Sequence, residues 1–314
     1  MPPKNEFLPS VGSEIENSSP ARWPQVSPWL GILSLALVAC FCLPLYQLVR
    51  FSLQSDLYSH IVLMPVVSVY LVWIKQSEFR TGSTPDRRIA AWLLALGVLV
   101  LSCYWAAVAS SITFGQEDSL AALTFSFLLF FAGLCSWFVN RTNLRTIAFP
   151  LGILVFMIPF PVAVRSGLET FLQHGSADAA YAFLRLCGTT VYYDNLVLRL
   201  PGINLQVAPE CSGIHSSLAL FITSLIAGHF FLRTPWKCAV LTLAVIPLAI
   251  LRNGFRIFTL GELCVHISPD MIDSYIHHHG GPIFFVLSLI PFFLLLRFLY
   301  RSDQGGKPAN PPAP

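Results

Sequence analysis

Read as a string of apolar and polar positions, the chain divides into eight apolar runs, 29-49, 58-74, 89-111, 119-139, 146-164, 213-232, 237-257 and 281-299, joined by more polar segments. Each run is long enough, as helix, to cross roughly 30 Å of hydrocarbon. The pattern predicts an all-α polytopic membrane protein with about eight transmembrane helices.

The stretch 165-212 departs from that pattern. Over 166-187, Leu168, Phe171, Leu172, Phe183, Leu184 and Leu186 are interleaved with polar residues, which predicts a helix lying on the membrane surface. Residues 191-207 read as strand, with Pro201-Gly202 turning between Leu196-Leu200 and Ile203-Val207, which predicts a short hairpin. Residues 1-28 and 301-314 read as flexible tails on either side of one domain, 29-300. The first tail has neither an apolar core nor a small-residue cleavage site, so it is not expected to be a cleaved signal peptide.

Composition narrows the function classes. Hydrophobic residues make up 55% of the 314, charged residues 11%, and mean hydropathy is +0.66. A water-exposed two-domain enzyme, a disordered chain and a nucleic-acid binder are all excluded on that balance. A net charge of +3 is too weak to imply a polyanionic partner, but its placement is informative. Thirteen of the 19 Lys and Arg residues fall in one alternating set of loops, among them Arg80, Arg87, Arg88, Arg141 and Arg145. Cytoplasmic loops carry such an excess, so both termini are expected in the cytoplasm, with 165-212 and 258-280 on the outer side. The eight cysteines show no paired CxxC spacing, so neither a disulfide framework nor a structural zinc module is expected. Cys187 and Cys264 are expected to be free thiols.

Ionisable groups within or bordering membrane spans mark functional sites by default. Here three polar clusters meet at one predicted depth: Cys211 in Pro209-Glu210-Cys211-Ser212-Gly213-Ile214-His215, Arg252 and Arg256 at the outward end of the seventh span, and His277, His278 and His279 before the eighth. A nucleophilic thiol needs a cation or helix N-terminus to hold the thiolate, and a group to manage the proton. The helix starting near Ser212, Arg256 and a histidine could supply these. Each residue also has a plainer reading. Cys211 can be a small packing residue, one of the two arginines is expected to snorkel to phosphates, and three consecutive histidines cannot share one helical face. His215 is a rival base at i, i+4 from Cys211, and His60 reads as an interface anchor. Glu210 would raise the thiol pKa if close, so its side chain is expected to face substrate or cap the backbone. No HExxH spacing occurs, and no metal or other cofactor is expected.

In four stretches the sequence resembles the exosortase/archaeosortase family of membrane cysteine transpeptidases. They are Tyr58-Ser59-His60 with Leu63-Met64-Pro65 and Tyr70-Leu71-Val72-Trp73, the block Glu210-Cys211-Ser212-Gly213-Ile214, the block Asn253-Gly254-Phe255-Arg256, and His277 to Gly281 followed by Phe284-Phe285. The resemblance, covering about 30 to 300, implies a nucleophile at Cys211, an essential arginine at Arg256 and a histidine at His277, with His278 next in the run. It implies substrates that are secreted proteins bearing a C-terminal tripartite signal: a Pro-Glu-Pro-type motif, a transmembrane segment and a basic tail. Cleavage would occur at the outer face of a bacterial inner membrane, through a thioester, in hosts that often produce exopolysaccharide. Membrane lipid would be a second partner, and nucleic acid none. The rival expectation is a non-catalytic polytopic component of exopolysaccharide export or assembly, in which Cys211→Ala is silent. A transporter would place charges at mid-membrane between inverted repeats, and the sequence shows neither.

Overall fold

A computed structural model describes residues 27–80, 84–273 and 280–304. Among the described residues, six helical segments are long and apolar enough to cross a membrane: Ser59–Glu78, Arg87–Ala109, Gln116–Phe138, Ile214–Phe231, Pro235–His266 and Gly281–Gln304. The two other expected spans are bent helix pairs. Helix α1 (Pro28–Cys40) meets α2 (Cys42–Gln54) at 69°, and Arg141–Met157 meets Val162–Leu186 at 90°. The first bend has a sequence cause in Pro44, whose missing amide cannot bond the Cys40 carbonyl. It falls at Phe41, whose ring packs 5.7 Å from that of Phe127 and 6.1 Å from that of Phe130. The second bend has one as well: Pro159 and Pro161 flank it, and proline both lacks an amide donor and disfavours helix in the residue before it.

The remaining helices are α3 (Leu63–Ile74), α4 (Arg87–Ala109), α5 (Gln116–Phe138), α6 (Arg141–Ile153), α7 (Val162–Leu186), α8 (Ile214–Phe231), α9 (Pro235–Leu243), α10 (Val245–His266) and α11 (Gly281–Gln304). The chain forms two compact units. One comprises residues up to Cys42, Met64–Cys103 and Phe125–Val155, and the other Leu43–Leu63, Tyr104–Thr124 and everything from Phe156. In the first unit, Asn140 caps α6 by accepting from the Asn143 amide at 2.8 Å, and its own amide donates to the Arg80 carbonyl at 2.9 Å.

The second unit contains the candidate site and is built around α7 and α10. Gly254 allows their close approach, because a Cβ there would lie 2.5 Å from the Ala179 Cβ. Three short strands, β1 (Tyr192–Asp194), β2 (Val197–Leu200) and β3 (Ile203–Gln206), form an antiparallel sheet in the order β1-β2-β3. Leu198, Leu200 and Leu205 of this sheet pack with Ala177, Ala180 and Leu184 of α7 and Ile257 of α10. The expected hairpin is therefore β2 and β3, and the start of the stretch 191-207 that reads as strand forms a separate third strand, β1. The chain enters β2 from β1 through Asn195, at φ 54, a conformation asparagine tolerates better than most residues.

The expected surface helix is the C-terminal part of α7, which begins at Val162. In α7, Leu172 and Leu184 turn inward to the protein, while Leu168, Phe171 and Leu186 stay exposed. Its inner face is thus covered by protein. The 32 residues of Pro235–His266 extend about 48 Å as helix, well beyond the hydrocarbon thickness. Within this segment α10 packs against α7 and the sheet. A second core, around Leu220, Leu241, Val245 and Phe292, joins α8, α9, α10 and α11. Helix α11 runs to Gln304, past the expected tail boundary at 301.

Candidate active site

Pro209 begins a tight 3-10 turn over Pro209–Ser212, in which the Cys211 amide donates to the Ala208 carbonyl at 2.9 Å. The turn ends at Gly213, which is left-handed at φ +73 and precedes α8. That conformation favours glycine, and space requires it as well: a Cβ would sit 3.1 Å from both Arg252 Nη2 and Asn253 Oδ1. The hydroxyls of Ser216 and Ser217 donate to the Gly213 carbonyl at 3.1 and 2.7 Å.

Two consecutive residues of α10 grip this turn from the other side. Asn253 Nδ2 donates to the Cys211 carbonyl at 2.6 Å. Arg252 Nη2 donates to the Gly213 carbonyl and to Ser217 Oγ, both at 3.3 Å. Arg252 is only 8% exposed, so of the two arginines it is not one that reaches lipid phosphates: its Nη2 is bonded within the protein. Its Nη1 and the hydroxyl of Ser212 are buried without a partner among the described residues.

Arg256 lies one turn along α10 and lines two cavities, one of about 670 Å³ and one of about 140 Å³. Cys211 lines the smaller, together with Leu205, Val207, Asn253, Ile257 and Leu260. Two of the three residues singled out from the sequence are therefore brought to one cavity wall. The third, His277, lies outside the described residues, as do His278, His279 and the Glu210 side chain. Gly281 and Pro282, which follow the histidines in the sequence, line the larger cavity.

The larger cavity is charged. Arg165 Nε lies 3.0 Å from Glu117 Oε2, and Arg165 Nη1 lies 3.3 Å from Glu169 Oε1. Tyr58, 2% exposed, donates its hydroxyl to the Phe160 carbonyl at 3.4 Å. Burial, reinforced by the charge of Glu117, pushes its pKa up to about 12. His215 lines the same cavity. The left-handed residue at Gly213 interrupts the helix between Cys211 and His215, so the expected i, i+4 relation between them does not form. His60 sits on a 3-10 turn over Ser59–Val62, with Nδ1 3.1 Å from the Leu57 carbonyl.

Five residues of this site were not singled out from the sequence: Tyr58, Glu117, Arg165, Glu169 and Asn253. The i, i+4 spacing of Arg165 and Glu169 could have signalled their pairing. Glu117 is brought to them only by folding. Among the described residues no three His, Cys, Asp or Glu side chains are grouped to hold a metal ion. Cys187 is exposed, Cys264 is buried, and both are free thiols.

A family model described as transmembrane exosortase matches residues 52–294 of the chain. No curated protein matches it, and neither does any solved structure.

Proposed function

The chain belongs to the transmembrane exosortase family, and from that premise we propose that it is a cysteine transpeptidase or protease that cuts C-terminal Pro-Glu-Pro-type sorting signals from secreted proteins. Membership supports a multi-pass membrane sorting enzyme in general; the residue roles are our reading of the geometry. The observation that carries it is the shared cavity wall of Cys211 and Arg256.

In this reading the Cys211 thiolate attacks the scissile carbonyl carbon. Arg256 stabilises first the thiolate and then the oxyanion of the tetrahedral intermediate. The carbon–nitrogen bond breaks as His277 gives its proton to the departing amine, leaving the acyl group on sulfur as a thioester. An acceptor amine, or water, then attacks the thioester, returns a proton to the base and releases the thiol. The site lies at the outer face of a bacterial inner membrane with both termini cytoplasmic, a placement supported by the distribution of Lys and Arg. A scissile bond just outside the substrate's own membrane span would meet it there.

The test is co-expression with a tagged substrate bearing such a signal, followed by immunoblot. Wild type is expected to remove the tail, while Cys211→Ala, Arg256→Ala and Arg256→Lys do not, the last because a point charge replaces a planar fork. Cleavage that survives Cys211→Ala would remove the nucleophile assignment. No cleavage by the wild type, with expression confirmed, would favour an assembly role instead.

A further inference from the structure

The smaller cavity and the sheet beside it bear on how a substrate reaches Cys211. The Val207 amide donates to the Leu196 carbonyl at 2.8 Å, which continues the register in which Val197 faces Gln206 and Leu198 faces Leu205. In an antiparallel ladder, hydrogen-bonded and non-bonded pairs alternate. The main-chain N–H and C=O groups of Gln206 and Asn204 therefore point away from β2. The order β1-β2-β3 leaves β3 at the edge of the sheet, and both residues are exposed. Five residues after Gln206 the same chain reaches Cys211.

The cavity lies on the inner face of that edge. Leu205 and Val207 turn their side chains into the core, and Ile257 and Leu260 of α10 close the cavity below them. A strand added beside β3 would project alternate side chains to the same inner face, where this cavity is placed to take one of them. At about 140 Å³ the space resembles the roughly 150 Å³ apolar cavity that accepts a benzene ring. It therefore has room for a single small side chain, whose apolar part would meet Leu205, Val207, Ile257 and Leu260 while Arg256 and Asn253 line the rest.

We propose that the substrate docks by β-strand addition to the outer edge of β3, with one small side chain next to the scissile bond held in the cavity formed by Leu205, Val207, Ile257 and Leu260. Main-chain hydrogen bonds to Gln206 and Asn204 fix the peptide's position, and the cavity sets its register. The larger, charged cavity across Arg256 then remains for the opposite side of the bond. This rests on Cys211 being the nucleophile, and it adds a substrate class that is selected at one residue by size.

The experiment pairs a substrate panel with two enzyme variants. Substrates differing only at the acyl-side residue, as Ala, Val, Leu, Phe or Trp, are co-expressed with wild type, Leu260→Ala and Gln206→Pro, with Cys211→Ala as the control. Wild type is expected to process Ala and Val substrates and to lose roughly tenfold or more with Trp, the scale on which pockets discriminate. Leu260→Ala should shift the preference toward Phe. Gln206→Pro removes an outward donor while leaving the ladder to β2 intact, and should reduce processing of every substrate.

A flat profile that Leu260→Ala does not move, with processing still dependent on Cys211, overturns the cavity assignment and leaves the nucleophile standing. Wild-type processing by a folded Gln206→Pro overturns strand addition. If that variant does not accumulate, synthetic substrates N-methylated at successive residues replace it with purified enzyme. Inhibition at alternate positions supports strand addition, and inhibition without that period overturns it. Failure of the wild type to cleave any substrate removes the nucleophile reading and this proposal together.

Discussion

The Asn253 side chain is hydrogen-bonded to the main chain of Cys211, its amide donating to the Cys211 carbonyl at 2.6 Å. The contact fixes where the turn sits and leaves the thiol itself free to react. Asn253→Ala is expected to slow processing roughly 5- to 30-fold, the equivalent of losing one buried hydrogen bond worth about 1–2 kcal/mol, while the protein still inserts and folds. Gly213→Ala should be worse, because it adds left-handed strain of about 1–3 kcal/mol to the crowding against Arg252 and Asn253. Immunoblot of substrate alongside detergent size-exclusion of the enzyme checks both. Wild-type processing by Asn253→Ala would show that the turn holds without it.

Which parts of this were legible in the sequence follows from which physics is local. Helices α4, α5, α8 and α11 follow their apolar runs closely, since length and hydropathy alone decide a membrane span. The bend at Phe41 had a local signal in Pro44, which cannot donate to the Cys40 carbonyl. The 90° bend near Pro159 and Pro161 had a local signal in the two prolines, which a continuous apolar run obscured. Cys211 and Arg256 stood out because a thiol and a guanidinium are conspicuous among apolar residues. Arg252 was equally conspicuous and was given no role of its own, since only the folded turn reveals acceptors at Gly213 and Ser217. Glu117 and Arg165 are 48 residues apart, and nothing in either neighbourhood announces their pairing.

Arg252 and Arg256 should separate in their phenotypes. Arg252 is buried, no carboxylate pairs with it among the described residues, and the charge of Arg256 opposes it. Arg252→Met removes a buried charge while keeping much of the volume. Lost hydrogen bonds and relieved desolvation should nearly offset, leaving thermal stability within about 1 kcal/mol of wild type. Processing should still fall roughly tenfold, because the Gly213 carbonyl loses a donor. Arg256→Met should abolish processing at similar stability. Thermal melts in detergent and substrate immunoblots on the same preparations read both effects. A large stability loss in Arg252→Met alone would make its role purely structural.

Tyr58 predicts a response to alkali. Its folded pKa of about 12 lies above the ordinary tyrosine value of 10.0, so the native protein keeps a proton that the unfolded chain releases first. The corresponding stability is fully present below pH 10 and is lost as pH rises toward 12. Tyr193, pushed to about 12 by burial and by its hydrogen bond to Asp178, acts in the same direction. Neither contributes any slope near neutrality. Tyr58→Phe should flatten the fall in melting temperature between pH 10 and 12 without changing the profile from pH 6 to 9. An unchanged alkaline slope would show that the phenol does not carry the effect.

The other end of the same unit supplies a prediction independent of catalysis. Lys237 Nζ lies 3.1 Å from Asp303 Oδ1, with the two side chains 8% and 6% exposed. Asp303 also accepts the Arg233 amide at 2.7 Å and the Thr234 hydroxyl at 2.5 Å, so one carboxylate from α11 caps the start of α9 and neutralises a buried lysine. Removing one member of such a pair leaves the other charge without its partner and destabilises the protein. Asp303→Ala should be the more damaging change, because three donors lose their acceptor at once. Lys237→Met leaves the carboxylate its two other donors and should cost less. In the double variant Asp303→Ala with Lys237→Met the unpaired ammonium is gone, so the loss should be smaller than the sum of the two single losses. Detergent melting temperatures of the four proteins form a double-mutant cycle. Additive losses would show that the lysine and the aspartate are not energetically coupled, and that Asp303 acts as a helix cap alone.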